Sequence, residues 1–252
     1  MTWQRHVFNT MGTVASLTFD AVSPDSVDPA AVHAVFDHFD ATYSLFKPES
    51  ELSRIAEGEL ALANASLEVR ETYATALEWR SATHGEFSPH RPDGVIDLSG
   101  IVKALSMENA GAELLRSFTT DWCLNVGGDV LTSGHDERGE DWSVGIVDPQ
   151  DRIALLTSAT LRGSRNACAT SGSTERGDHI WTIGAAPAVF VQATVLADDI
   201  VTADVLATAI IAGGPVALDQ ICATWSIDAM TIDREGSIRM TPDFARRTPS
   251  DL

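Results

Sequence analysis

Trp122-Cys123-Leu124-Asn125-Val126-Gly127-Gly128-Asp129-Val130-Leu131 marks the point at which the chain changes character. Before it, long helical stripes dominate; from it onward, β-rich runs take over, separated by Gly, Pro, Asp and Ser clusters. Those runs are Trp122 to Leu131, Trp142 to Val147, Ile153 to Thr160 and Ala188 to Leu196. Helix blocks alternating with strand meanders predict an α+β fold rather than a parallel doubly wound sheet.

Upstream, Asp28 to Phe46 carries apolar residues at Val32, Val35, Phe36, Phe39 and Tyr43, a helical stripe that ends before Pro48. Ser66 to Thr83 predicts a second helix through Leu67, Val69, Tyr73, Leu77 and Trp79, with Gly85 placed to stop it. A third begins near Ser99 and runs to about Phe118, burying Ile101, Leu105, Ala112 and Leu115. Lys47 to Arg54 reads as a polar turn, and Val7 to Phe19 as one or two strands broken at Met11-Gly12-Thr13. Downstream, Asp199 to Ala212 predicts a fourth main helix, closed by Gly213-Gly214-Pro215. Ala223 to Ile232 and Ser237 to Met240 are the last strands, joined by the turn Asp233-Arg234-Glu235-Gly236. No linker, low-complexity tract or clear repeat divides the chain, so residues 1–252 are expected to form a single domain.

The chain has 252 residues, 44% of them hydrophobic, which is enough for a sizeable core. Its 17 basic residues face 36 acidic ones, and a net charge of -19 argues against an electrostatic grip on nucleic acid or anionic lipid. An anionic ligand then needs local help from a metal, a helix N-terminus or a well-placed lysine. Cys123, Cys168 and Cys222 have neither a metal-ligand spacing nor a disulfide framework, and reduced, mostly buried thiols are expected. Met1 to His6 leads straight into strand-like sequence, without the apolar region of a signal peptide, and no run of eighteen apolar residues follows. A cytoplasmic protein without a membrane segment is expected.

Three segments stand out chemically. In Ala203-Asp204-Val205-Leu206-Ala207-Thr208-Ala209, a carboxylate and a hydroxyl four residues apart share one helix face. They suit a partly hydrated magnesium ion; equally, an Asp near a helix start complements the dipole and a helical Thr bonds back to a carbonyl. Asp97-Leu98-Ser99-Gly100-Ile101-Val102-Lys103 sets an acid, a flexible turn and a cation around a helix start, suited to an anion, or to Asp97 or Ser99 as caps with Lys103 solvated. Ala169-Thr170-Ser171-Gly172-Ser173-Thr174-Glu175-Arg176, followed by His179, combines small hydroxyl residues with a titratable imidazole, which is a base only if it has a reachable proton. Asn125 to Asp129, with its double glycine at a strand end, reads as a turn. Gly-x-Ser-x-Gly, Walker and dinucleotide-binding glycine patterns are absent.

Taken in order, these segments resemble the ApbE-type FAD:protein FMN transferases. Met11-Gly12-Thr13 resembles the family's Met-Gly-Thr, and Tyr43 to Arg54, with its Ser50-Glu51-Leu52-Ser53-Arg54, resembles its Ser-Glu-Leu-Ser-Arg block. Asp97 to Lys103 resembles Asp-Leu-Gly-Gly-Ile-Ala-Lys, and Asn125 to Val130 resembles Asn-x-Gly-Gly-Asp. Trp142 to Pro149 resembles Trp-x-Val-Gly-Ile-x-x-Pro, Ala169 to Glu175 resembles Ala-Thr-Ser-Gly-Ser-Tyr-Glu, and Ala203 to Ala209 resembles Ala-Asp-Ala-Leu-Ala-Thr-Ala.

The resemblance implies an α+β fold of two similar, interlocked motifs with FAD in the groove between them. It implies transfer of FMN from FAD to a Thr or Ser hydroxyl of an acceptor flavoprotein, with release of AMP and a requirement for Mg2+. It assigns the metal to Asp204, Thr208 and the main-chain carbonyls of Gly100 and Ala207, and catalysis to His179, Asp204 and Lys103. Met11, Phe46, Glu86, Phe87, Ser88, Asp97, Lys103, His179 and Ile180 are then expected to contact FAD. The sequence departs from the family pattern after Lys103, at Ser88-Pro89-His90, and at Trp181-Thr182-Ile183-Gly184, where an Asp is lost. A metal-dependent FAD pyrophosphatase and a non-catalytic FAD-binding module are the alternatives on the same scaffold.

Overall fold

The computed structural model describes residues 2–21, 27–117, 119–151, 153–172 and 188–249. Its first half opens with strands β1 (Trp3–Thr10) and β2 (Thr13–Asp20), inserts helices α1 (Pro29–Tyr43), α2 (Glu51–Ala56), α3 (Leu67–Ala82) and α4 (Ser99–Arg116), and closes with β3 (Trp122–Val126) and β4 (Asp129–Ser133). After the hairpin β5 (Ser143–Val147) and β6 (Leu155–Thr160), the second half repeats the plan. Strands β7 (Ala167–Gly172) and β8 (Phe190–Ala197) are followed by helix α5 (Ile200–Thr224), then β9 (Asp228–Asp233), β10 (Ile238–Met240) and the short α6 (Pro242–Ala245).

All eight strands of the two halves join one antiparallel sheet in the order β1-β2-β3-β4-β7-β8-β9-β10. Phe19 of β2 lies opposite Trp122 of β3, and Leu196 of β8 lies opposite Asp228 of β9. Each helical insertion therefore leaves and re-enters the sheet at neighbouring positions, which brings α4 and α5 together over the sheet. This is the expected α+β architecture of two similar, interlocked motifs.

Side chains alternate between faces with the period-2 rule of a strand. Ala167, Ala169, Val195 and Ala197 join the core under the helices, whereas Cys168, Leu196 and Val130 turn to a second core with Val144, Ile146 and Phe244 from the β5–β6 hairpin and α6. Helix α5 is long and apolar enough to cross a membrane by length and composition, but 67% of that stretch is buried in the fold, so core packing accounts for its hydropathy.

The helix starts follow the capping chemistry of the sequence: Asp28, Ser66 and Asp199 accept backbone amides at the heads of α1, α3 and α5. The turn expected within Asn125 to Asp129 is present: Gly127 and Gly128 turn the chain at φ 61° and 99° and divide the run Trp122 to Leu131 into β3 and β4. Three expectations need correction. The polar turn Lys47 to Arg54 contains the start of α2, whose first turn is held by Ser50 Oγ accepting the Ser53 amide at 3.0 Å. The helix does not end at Gly213-Gly214-Pro215; Gly214 takes φ 64° and ψ -149°, Pro215 starts a new helical stretch, and Ala223 and Thr224 are helical rather than strand. Leu115, expected on the buried side of the third helix, is 57% exposed near the end of α4.

The thiols are free, as expected, but only Cys168 is buried while Cys123 and Cys222 are half-buried; loss of solvation pushes Cys123 up to about 12 and raises Cys168 as well. At the end of the sheet where β8 passes into α5, buried Arg165 gathers three connections. Its guanidinium contacts Asp198, reaches Asp228 Oδ2 at 3.1 Å and donates to Ser226 Oγ at 3.1 Å, while Arg247 reaches the same Asp228 oxygen at 2.8 Å. Removing one member of a buried ion pair strands its partner. Arg165→Ala is therefore expected to lower the unfolding free energy by about 3 kcal/mol in urea titrations, whereas a change within experimental error would show that Arg247 alone satisfies Asp228.

Candidate functional site

Lys103 is the fifth residue of α4 and Asp204 the fifth residue of α5, so the two similar motifs bring a cation and an anion to matching positions of neighbouring helices. Both side chains are buried, with residue exposures of 7% and 4%. A buried ammonium must be paired to stay charged, and Lys103 is: its Nζ contacts Asp129 Oδ2 and lies 3.6 Å from Asp204 Oδ2. Asp129, the first residue of β4, is 1% exposed, and its Oδ1 accepts the Thr170 amide of β7 at 3.0 Å. On the helix-facing side of β7, Ser171 Oγ meets Thr208 Oγ1 of α5 at 3.1 Å, whereas Thr170 Oγ1 meets Thr194 Oγ1 of β8 at 3.0 Å on the opposite face of the sheet. Through the backbone of β7, Lys103, Asp204, Asp129, Ser171 and Thr208 thus form a polar seam in the apolar layer between helices and sheet.

The structural roles considered above are met only in part. Asp199 caps α5, while Asp204 lies in the second turn, beyond the reach of the terminal dipole. The Thr208 hydroxyl meets Ser171. Lys103 is not a solvated surface cation. Asp97 does act on the start of α4, with Oδ1 accepting the Ser99 amide at 2.9 Å, although Leu98 holds the N-cap position. Gly100 has a packing role: a Cβ there would lie 3.0 Å from Cε2 of the buried Phe87 ring, so the close approach that glycine permits is taken by an aromatic ring.

Other expected contact residues surround the seam unevenly. Met11 adopts φ 46° in the β1–β2 turn, and its sulfur lies 3.6 Å from Ser106 Oγ, three residues beyond Lys103 on α4. That turn packs against the Gly127 turn, where a Cβ would come within 2.7 Å of Thr13 Oγ1. Glu86 lies over the kink of α5, its Cδ 2.5 Å from where a Gly213 Cβ would stand. Ser88 makes local turn bonds with His90. Phe46, in the turn ahead of α2, is 86% exposed. Ala207 is fully buried beside Thr208. His179 and Ile180 lie outside the described residues, in the connection that follows β7. A cleft of about 840 Å³ between α1, α3 and α4, lined by His38, Glu68, Leu105 and Asn109 among others, shares no residue with the seam.

Asp129 was given no role by sequence reasoning, and Ser171 was singled out only as part of the hydroxyl-rich segment Ala169 to Arg176. The signal for Asp129 was an acid directly after a double glycine at a strand end, a pattern that also describes an ordinary turn. Among the described residues no three His, Cys, Asp or Glu side chains converge as a metal cluster. The donor set at α5 is of a different kind: one carboxylate and one hydroxyl, hard oxygens that fit a magnesium ion keeping several of its waters.

Burial raises the Glu86 carboxyl above its ordinary 4.5. The native state then holds a proton that the unfolded chain has released, so stability falls as pH rises through the window above the unfolded value. Glu86→Gln is expected to be more stable than the unmodified protein at pH 8, with the difference closing below roughly pH 4. Unfolding curves at the two pH values test this; an equal difference at both would remove ionisation as its cause.

A model of the ApbE family matches residues 11–91 and 90–231. No curated protein matches the sequence. Among solved structures, the ApbE protein of Thermotoga maritima superposes with a TM-score of 0.81 at 18% identity, covering 98% of this chain and 99% of its own. The flavinyl transferase ApbE of Pseudomonas stutzeri gives 0.77 at 15% identity, with 98% of each chain covered. The flavin transferase ApbE of Vibrio cholerae gives 0.74 at 18% identity, covering 98% of this chain and 100% of its own. With the family match extending from the Met11 turn through both helix starts of the seam to β9, this chain belongs to the ApbE family.

Proposed function

We propose that this chain is a magnesium-dependent flavin transferase that moves FMN from FAD onto a Thr or Ser hydroxyl of an acceptor flavoprotein and releases AMP. The observation that carries this reading is the seam itself: Lys103, Asp129, Asp204 and Thr208 converge where the two motifs of an ApbE-family chain meet. The flavin transferase activity of the Pseudomonas stutzeri and Vibrio cholerae proteins, which share its fold, supports it.

In this mechanism Asp204 and Thr208 hold the metal with the main-chain carbonyls of Gly100 and Ala207. Bound Mg2+ supplies positive charge against the pyrophosphate and the charge that builds on the leaving phosphate. Lys103 adds positive charge beside the metal site, against the charge that builds up in the transition state. Met11, Phe46, Glu86, Ser88, Asp97 and Ile180 line the groove that orients FAD, while the buried Phe87 ring backs Gly100 rather than facing the ligand. The acceptor hydroxyl oxygen bonds to the FMN-side phosphorus as the bond from that phosphorus to the bridging oxygen breaks. AMP leaves with that oxygen, and His179 takes the hydroxyl proton.

The test is to incubate the protein with FAD, Mg2+ and acceptor proteins or peptides bearing a Thr, and to read the mass of FMN on the acceptor. Metal-dependent AMP release without an acceptor would instead identify a pyrophosphatase, and bound FAD without AMP release a binding module. Asp204→Asn is expected to reduce metal-dependent AMP release at least about 100-fold with the circular dichroism spectrum unchanged. His179→Ala is expected to slow transfer more than it weakens FAD binding; equal losses would make His179 a ligand-positioning residue only.

A further inference from the structure

We propose that Asp129 is a positioning residue for the cation site, holding the Lys103 ammonium off Asp204 and setting strand β7 so that Ser171 meets Thr208. The inference rests on the metal-dependent reading above. Both oxygens of Asp129 are committed: Oδ2 to Lys103 and Oδ1 to the Thr170 amide, one residue before Ser171. The carboxylate thus acts on both side-chain donors of the candidate metal site without being one of them. Toward Asp204 it acts electrostatically, because Lys103 lies closer to Asp129 than to Asp204 at 3.6 Å. Toward Thr208 it acts through backbone, because the amide it anchors belongs to the strand that carries Ser171.

A purely structural need would be met by any acceptor for the Thr170 amide. The negative charge is what the ammonium requires. Lys103, Asp129 and Asp204 are exposed by 7%, 1% and 4%, so solvent does little to weaken the competition between the two carboxylates for one ammonium. With the charge at 129 removed, Asp204 is the carboxylate that stays beside Lys103 among the described residues. The ammonium then competes with a divalent cation for that oxygen, and the two positive charges repel each other.

The experiment measures Mn2+ binding to the full chain without FAD, by electron paramagnetic resonance of the free ion, with folding followed by circular dichroism. Asp129→Asn, which keeps an oxygen acceptor for the Thr170 amide, is expected to weaken Mn2+ binding about tenfold or more, a coupling typical of residues in one network. Lys103→Met added to that variant is expected to restore binding to within about threefold of the unmodified protein, because it removes the competing ammonium. Lys103→Met alone is expected to bind Mn2+ at least as tightly as the unmodified protein, and it decides the matter if Asp129→Asn fails to fold. An unchanged affinity in folded Asp129→Asn, no recovery in the double variant, or weaker binding by Lys103→Met alone overturns the proposal while leaving the metal reading intact. Absence of Mn2+ binding by the unmodified protein overturns both.

Discussion

A buried lysine sets the terms for the rest of this structure. An ammonium taken out of water is costly to keep charged, and the cost is offset only where carboxylates and further hydrogen bonds surround it. Lys103 obtains that environment from Asp129 on β4 and Asp204 on α5, and Asp129 is in turn fixed by the amide of Thr170 on β7. One side chain on α4 therefore ties the first motif to the second through two separate elements. The apolar packing between α4, α5 and the sheet supplies most of the burial, but it is indifferent to small slips; the seam is not, because a slip would leave a charge unpaired.

Topology explains why the seam can exist. Each helical insertion leaves and re-enters the sheet between strands that are themselves neighbours, so the last helix of the first motif and the first stretch of α5 lie over one sheet face. Position five of each helix then faces the other motif with opposite charge. Tight turns keep the nearby backbone close. Gly127 has no room for a Cβ beside Thr13, and the missing side chain of Gly100 accommodates Phe87. The missing side chain of Gly213, beside the kink, gives Glu86 its place over α5, where burial raises its carboxyl.

Local chemistry was the legible part. Apolar stripes located the long helices, because that signal lies within a few turns of chain, and the ranges read for three of them begin at Asp28, Ser66 and Asp199, the residues that cap them in the structure. Elements whose signals were short or ambiguous went astray. Helix α2 has only six residues, too few to show a period. Gly213-Gly214-Pro215 is a normal helix terminator, yet a single residue of left-handed backbone lets helix resume after it. In the candidate site, Asp204, Thr208 and Lys103 were legible as residue types at helix starts, while Asp129 was hidden in a turn motif.

By itself, the sequence determined the fold class, the two long helices that carry the site and the family, because periodicity, caps and motif order are properties of neighbouring residues. Tertiary structure decided the roles. Whether Lys103 is solvated or buried, whether Asp204 answers to a helix dipole or to an ammonium, and which carboxylate holds that ammonium depend on atoms tens of residues apart along the chain. Charge interactions reach through space and grow with burial, and neither distance nor burial can be read along a sequence.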